Sequence, residues 1–179
     1  MVDIETLSAD INAAIISVGA VTFDLKDEFH EYISIQSCLD LGLEVSEKTL
    51  LWWIEESNNI EQIIKTKTAK PIQEVLQNFS NWLLKFNKNK TNIWSYGTTF
   101  DISILTNAYN KCSIEIPWRY NNVIDARSIK KFSKEFLNID VDNLKLDEEN
   151  KHNALADSMY QAIFINKLIE ILRDKRNEN

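Results

Sequence analysis

Residues 1–35 read MVDIETLSADINAAIISVGAVTFDLKDEFHEYISI. Within them, residues 13–23 (AAIISVGAVTF) are apolar and rich in β-branched side chains, residues 29–35 (FHEYISI) alternate, and residues 24–28 have the polar character of a turn. Together with the short opening run Met1–Ile4, these segments spell a three-strand antiparallel meander. Asp3 and Glu5 stand two apart on the first strand. The two-residue strand period therefore sends both carboxylates to one side and Val2 and Ile4 to the other.

Downstream, the periodicity changes. Residues 47–64 read as a helix. A second helix opens at Pro71 and carries Ile72, Val75, Leu76, Phe79, Trp82, Leu83 and Phe86 on one face, a core stripe. The run NIWSY (92–96) is a short buried strand, and after Gly97 the chain turns into a helix bearing Leu105, Ala108, Tyr109 and Cys112. Residues 123–125 form a further strand and 127–136 a further helix. The polar, acid-rich stretch 137–151 has no periodicity and is expected to be a mobile loop. A long helix covers 153–172, with Leu155, Met159, Ala162, Ile163, Leu168 and Leu172 as its apolar positions, and residues 173–179 form a frayed tail. Strands first in a meander, then strands alternating with helices, predict an α/β fold: a mixed five-stranded sheet flanked by helices.

With 179 residues, 44% hydrophobic and 26% charged, the expectation is one domain over residues 1–172. No run approaches the roughly 18 apolar residues of a membrane span, and the acids at positions 3 and 5 leave no basic start for a signal peptide. A cytoplasmic protein with no membrane partner is expected. Cys38 and Cys112 have no metal-ligand spacing and read as reduced thiols. The net charge of -7 opposes tight, purely electrostatic gripping of a nucleic acid. Two divalent cations held by acids would bring four positive charges and restore local attraction. The lysine runs 65, 67, 70 and 85, 88, 90 read as solvated surface.

Three further residues join Asp3 and Glu5. Asp101 follows Gly97, Thr98, Thr99 and Phe100 at the start of a helix, and Asp157 lies early in the last helix, five positions after His152. Taken singly, Asp101 and Asp157 would be helix-start acids and His152 a loop residue. Taken together, the four carboxylates end or begin elements near one sheet edge, where they would repel one another unless cations compensated them.

These residues resemble a family. Asp3-Ile4-Glu5-Thr6-Leu7 is similar to the first motif of DnaQ-like DEDD nucleases and Trp94-Ser95-Tyr96-Gly97-Thr98-Thr99-Phe100-Asp101 to the second. His152-Asn153-Ala154-Leu155-Ala156-Asp157 matches the HxAxxD third motif of the DEDDh subgroup. Thr49-Leu50-Leu51-Trp52-Trp53, Pro117-Trp118 and Asp125-Ala126-Arg127-Ser128 resemble elements of the branch containing RNase AS and the phage DexA-type exonucleases. Where that branch has Gly-Asn-Gly in its second motif, this chain has Ser95-Tyr96-Gly97.

The resemblance implies an RNase H-like fold and a metal-dependent 3′-to-5′ exonuclease with Asp3, Glu5, Asp101, His152 and Asp157 as the catalytic set. Asp3, Glu5, Asp101 and Asp157 would hold two Mg²⁺ or Mn²⁺ ions, as hard oxygen ligands suit, and His152 would accept the proton of the attacking water. Thr6, Leu7, Trp52, Trp53 and Phe100 would meet a single-stranded 3′ end. Adjacent helix positions point about 100° apart, so one tryptophan at most faces substrate. Relatives suggest a homodimer. Three activities remain open: cleavage of single-stranded DNA or 3′ overhangs, which leads; trimming of RNA 3′ ends; and a silent binding module, which would not need His152.

Overall fold

The computed structural model describes residues 1–55, 60–86, 91–141 and 152–177. Strands β1 (Val2–Thr6), β2 (Ile15–Val21) and β3 (Glu28–Tyr32) form the expected antiparallel meander, in the order β1-β2-β3. Asp3 pairs with Gly19 and Glu5 with Ser17, and the register shifts between Glu5 and Thr6. Beyond Tyr32 the chain leaves the ladder. Ile33 still donates to Ile16 O, but Ser34 donates to Lys70 O, and the end of the expected strand becomes a short helix, α1 (Ile35–Asp40).

The helix read over 47–64 is α2 (Glu47–Glu55) and α3 (Ile60–Lys65), with the junction outside the described residues. Helix α4 (Ile72–Leu83) has Pro71 as its N-cap residue and buries Ile72, Val75, Leu76, Phe79 and Trp82, the face that the sequence marks. Strand β4 (Ile93–Ser95) leads into α5 (Asp101–Lys111), and β5 (Val123–Asp125) into α6 (Ala126–Leu137). Helix α7 (Ala154–Asn177) runs through the residues read as a tail; Lys175 and Arg176 in its last turn suit the negative end of its dipole. On α7 the buried residues include Ala162, Phe164, Ile165 and Leu168, whereas Ile163 and Leu172 are exposed. Of the stretch read as a mobile loop, residues 142–151 lie outside the described residues. Before them, left-handed Asn138 closes α6, and Ile139 and Val141 are buried.

The five strands do not form one sheet. Among the described residues, β4 and β5 pair parallel in a ladder of two, separate from the ladder of three. β1 and β4 lie side by side. Part of the reason is chemical: the Ile4 N–H on β1 is directed at the Asp101 carboxylate (3.4 Å). A side chain thus takes a donor that a strand ladder would use.

Each face of the meander has its own core. Val2 and Ile4 pack with Phe79, Ile102 and Leu105 on the α4–α5 side. On the other side Val21 and Met1 join Ala162, Ile165 and Leu168 of α7. Asp3 and Glu5 are thereby turned toward α7.

Candidate active site

Glycine at position 19 brings α7 to the acids. Opposite Asp3 in the ladder, Gly19 lies so near the backbone of Ala154 and Leu155 that a Cβ there would overlap it. Only a residue without a side chain lets the first turn of α7 rest on the sheet beside Asp3. That turn is capped by Asn153, whose Oδ1 accepts from Ala156 N–H (3.1 Å), while its carbonyl accepts from Asp157 N–H (2.8 Å). His152, just before the cap, takes a left-handed conformation (φ 61°).

Asp101 arrives from a second turn. Gly97 has φ 119°, and its carbonyl accepts from Phe100 N–H (2.8 Å), so the chain reverses sharply between β4 and α5. Asp125 holds this turn: Oδ2 accepts from Thr98 N–H (2.8 Å), and Oδ1 accepts from Ser128 N–H (2.7 Å), capping α6. These contacts hold the Asp125 carboxyl below the usual range despite its partial burial. Asp125 thus ties β5, α6 and the Gly97 turn together.

The structure brings Asp3, Glu5, Asp101, His152 and Asp157 together. Burial lifts every carboxyl of the set. For Asp3 it acts first, followed by the charges of Asp101, Glu5 and Asp157, and the pKa stands well above normal. For Glu5, burial and then Asp157 and Asp101 do the same. Asp101, only 4% exposed, is pushed up to about 7 by burial against hydrogen bonds such as that from Ile4. Asp157 rises to about 6 through burial, with the His152 and Asn153 backbone opposing. Acids so placed resist ionising unless a cation joins them. A divalent ion fits the oxygen donors present: carboxylate oxygens of Glu5 and Asp157 lie within 4.8 Å of each other, with a His152 ring nitrogen equally near.

A pocket adjoins the acids, lined by Glu5, Thr6, Thr49, Trp52, Trp53 and Phe100 among others. Trp53 is 1% exposed, and its indole N–H donates to Thr6 O (2.9 Å), fixing the chain just after the register shift. Trp52 is 37% exposed and meets the His152 ring edge-on, with centroids 4.7 Å apart. Leu7 is fully buried in the core and is not among the pocket residues.

One site residue was not read from the sequence. Gln161, one helical turn beyond Asp157, is 8% exposed, and its Nε2 donates to Asp3 Oδ1 (2.8 Å). The i, i+4 spacing from Asp157 places the two on one helix face and is the signal that could have found it.

The model of the 3′-5′ exoribonuclease Rv2179c-like domain family matches residues 1–169. The chain belongs to that family. No curated protein matches it. Membership in the Rv2179c-like family agrees with the DnaQ-like resemblance at the level of a 3′-5′ exonuclease. The family description names an activity on RNA, and so favours the RNA alternative over the leading DNA expectation. Among the described residues, no helix is long and apolar enough to cross a membrane.

Proposed function

We propose that the protein is a metal-dependent 3′-to-5′ exoribonuclease of the DEDDh type, related to the RNase AS branch, that releases nucleoside monophosphates from single-stranded RNA ends. The observation that carries this reading is the convergence of four carboxylates of raised pKa with His152 beside an aromatic pocket. The family's described activity supports the RNA substrate.

Asp3, Glu5, Asp101 and Asp157 would hold two Mg²⁺ or Mn²⁺ ions. Such ions, when bound, stabilise the attacking and departing oxygens of an in-line displacement at phosphorus. The rest is the work of this chain. Trp52 and Phe100 border the space for the terminal nucleoside, and the Trp53–Thr6 bond fixes the floor beside it. His152, with its imidazole against Trp52 of the pocket, accepts at a ring nitrogen the proton that the attacking water loses. Its edge-on contact with Trp52 limits how the ring can turn. Gln161 holds one Asp3 oxygen and leaves the other for an ion.

The test is digestion of 5′-labelled single-stranded RNA and DNA of one sequence with Mg²⁺ or Mn²⁺, beside Asp3→Ala and His152→Ala proteins. A ladder shortening from the 3′ end of RNA, lost in both variants, is the expected result. Faster cleavage of DNA would restore the deoxyribonuclease reading. No cleavage of either polymer would leave a binding module.

A further inference from the structure

A chain of net charge -7 whose centre gathers four carboxylates needs cations nearby if a polyanionic strand is to lie across it. Arg127 is one. It follows β5 on the first turn of α6 and is exposed, yet held in place. Its Nη2 donates to Tyr96 O (2.9 Å), its guanidinium carbon stands 4.8 Å from the centre of the Tyr96 ring, and a Cβ on Gly97 would come within 3.1 Å of Nη2. The acid nearest in sequence, Asp125, spends both oxygens on Thr98 and Ser128. Among the described residues Arg127 makes no ion pair, so its other donors remain for a ligand.

Lys130, three positions along α6, adds a second cation at the same ring. Its ammonium is 5.9 Å from the centre of Tyr96 and 5.5 Å from that of Phe164. Tyr96 itself stands edge-on against Phe164 (5.8 Å). Two positive groups thus stand by one aromatic ring at the end of β4, and Arg127 is held there before any ligand arrives.

The ring and its cations lie beside Asp101, whose N–H donates to Gly97 O (3.3 Å). Ile4 and Phe100, which line the pocket, adjoin Asp101, and the charge of Arg127 reaches the same carboxyl. With the last nucleoside of a strand in the pocket and its scissile phosphate at the carboxylates, cations beside Asp101 are placed for the phosphates that follow. We propose that Arg127 and Lys130, mounted on Tyr96, are a phosphate seat for the strand upstream of the scissile bond. This rests on the reading that a nucleic acid is the substrate. A planar guanidinium fork suits a phosphate, and contacts to phosphates carry no sequence information.

The seat can be tested by binding. The probe is a fluorescent single-stranded RNA of about ten nucleotides, protected by 3′ phosphorothioate linkages, with Ca²⁺ present and KCl varied from about 50 to 500 mM. Arg127→Gln and Lys130→Gln are each expected to weaken binding about tenfold at the low-salt end. Each should also reduce the slope of log Kd against log salt by about 0.7, the value for one lost phosphate contact on a single strand. Affinity lost with the slope unchanged in both variants would overturn the seat and leave Arg127 as a brace for the Gly97 turn. Lys130→Gln, which leaves the Arg127–Tyr96 bond in place, separates these outcomes. Wild-type cleavage alongside unchanged slopes sinks the seat alone; altered slopes without wild-type cleavage sink the exonuclease alone.

Discussion

The Gln161 amide donates to Asp3 Oδ1 at 2.8 Å from the helix that also carries Asp157. One turn of α7 therefore supplies an acid of the cluster and the group that orients another. Gln161 Oε1 is buried with no partner among the described residues, so the side chain is kept in place although half its amide goes unsatisfied.

Replacing Gln161 by Met keeps the volume and removes the bond. Asp3 then turns freely, and the protein is expected to lose about tenfold to a hundredfold in Mn²⁺ affinity, the usual range for a group supporting a metal ligand. Mn²⁺ titration followed by thermal melting reads this without reference to activity. A midpoint equal to that of wild type would reduce Gln161 to packing.

The raised carboxyls should cost the metal-free protein stability as pH rises. An acid whose pKa is raised by folding keeps its proton in the native state while the unfolded chain releases it, so stability declines from the unfolded value near 4 through the folded one. For Asp101, at about 7, the full loss is on the order of 4 kcal/mol, with Asp157 adding over a narrower window ending near 6. The buried Met1 amino group, held down to about 5, acts in the opposite sense between about pH 5 and 8. The comparison is therefore between wild type and Asp101→Asn, melted in chelator at pH 5 and pH 8. The wild type should lose more melting temperature than the variant, and Mn²⁺ should recover the difference; parallel pH curves would contradict the raised carboxyl.

The meander, the α4 core stripe and the three acidic segments were legible because each depends on local pattern: β-branched runs, 3.6-residue spacing and motif residues beside turns. The division into two ladders was not. It depends in part on Ile4 N–H meeting a carboxylate that is 97 positions away in the chain, which no window of sequence contains. Likewise α1 replaces the end of a strand because Ser34 finds Lys70 O. At the site, the strand period placed Asp3 and Glu5 on one side, but Leu7, counted along the same motif, is carried into the core by the register shift after Glu5. Helix geometry allowed one tryptophan at most to face substrate without saying which; both line the pocket, and Trp52 is the exposed one.

Gly19→Ala is expected to do damage out of proportion to one methyl group. Overpacking ordinarily costs about 1–3 kcal/mol, and here the obstacle is the backbone of Ala154 and Leu155, which cannot turn aside as a side chain can. Either the protein melts several degrees lower or α7 shifts off the sheet and carries His152 and Asp157 away from Asp3. Both melting temperature and nucleotide release should fall. A variant matching wild type in both would mean that the approach of α7 is slack.

The two tryptophans should separate cleanly. Trp53→Ala removes a fully buried ring and the donor to Thr6 O, so a stability loss of about 3–5 kcal/mol is expected. Trp52→Ala removes a ring that is 37% exposed beside His152, so stability should change far less. If Trp52 stacks on a base, its loss costs about 1–3 kcal/mol of substrate binding, roughly 5-fold to 150-fold in KM. If Trp52 instead only steadies the His152 ring, kcat falls and KM stays. Steady-state kinetics of Trp52→Ala on a short RNA decide between these, because a base leaving the pocket and a misaligned proton acceptor affect different constants.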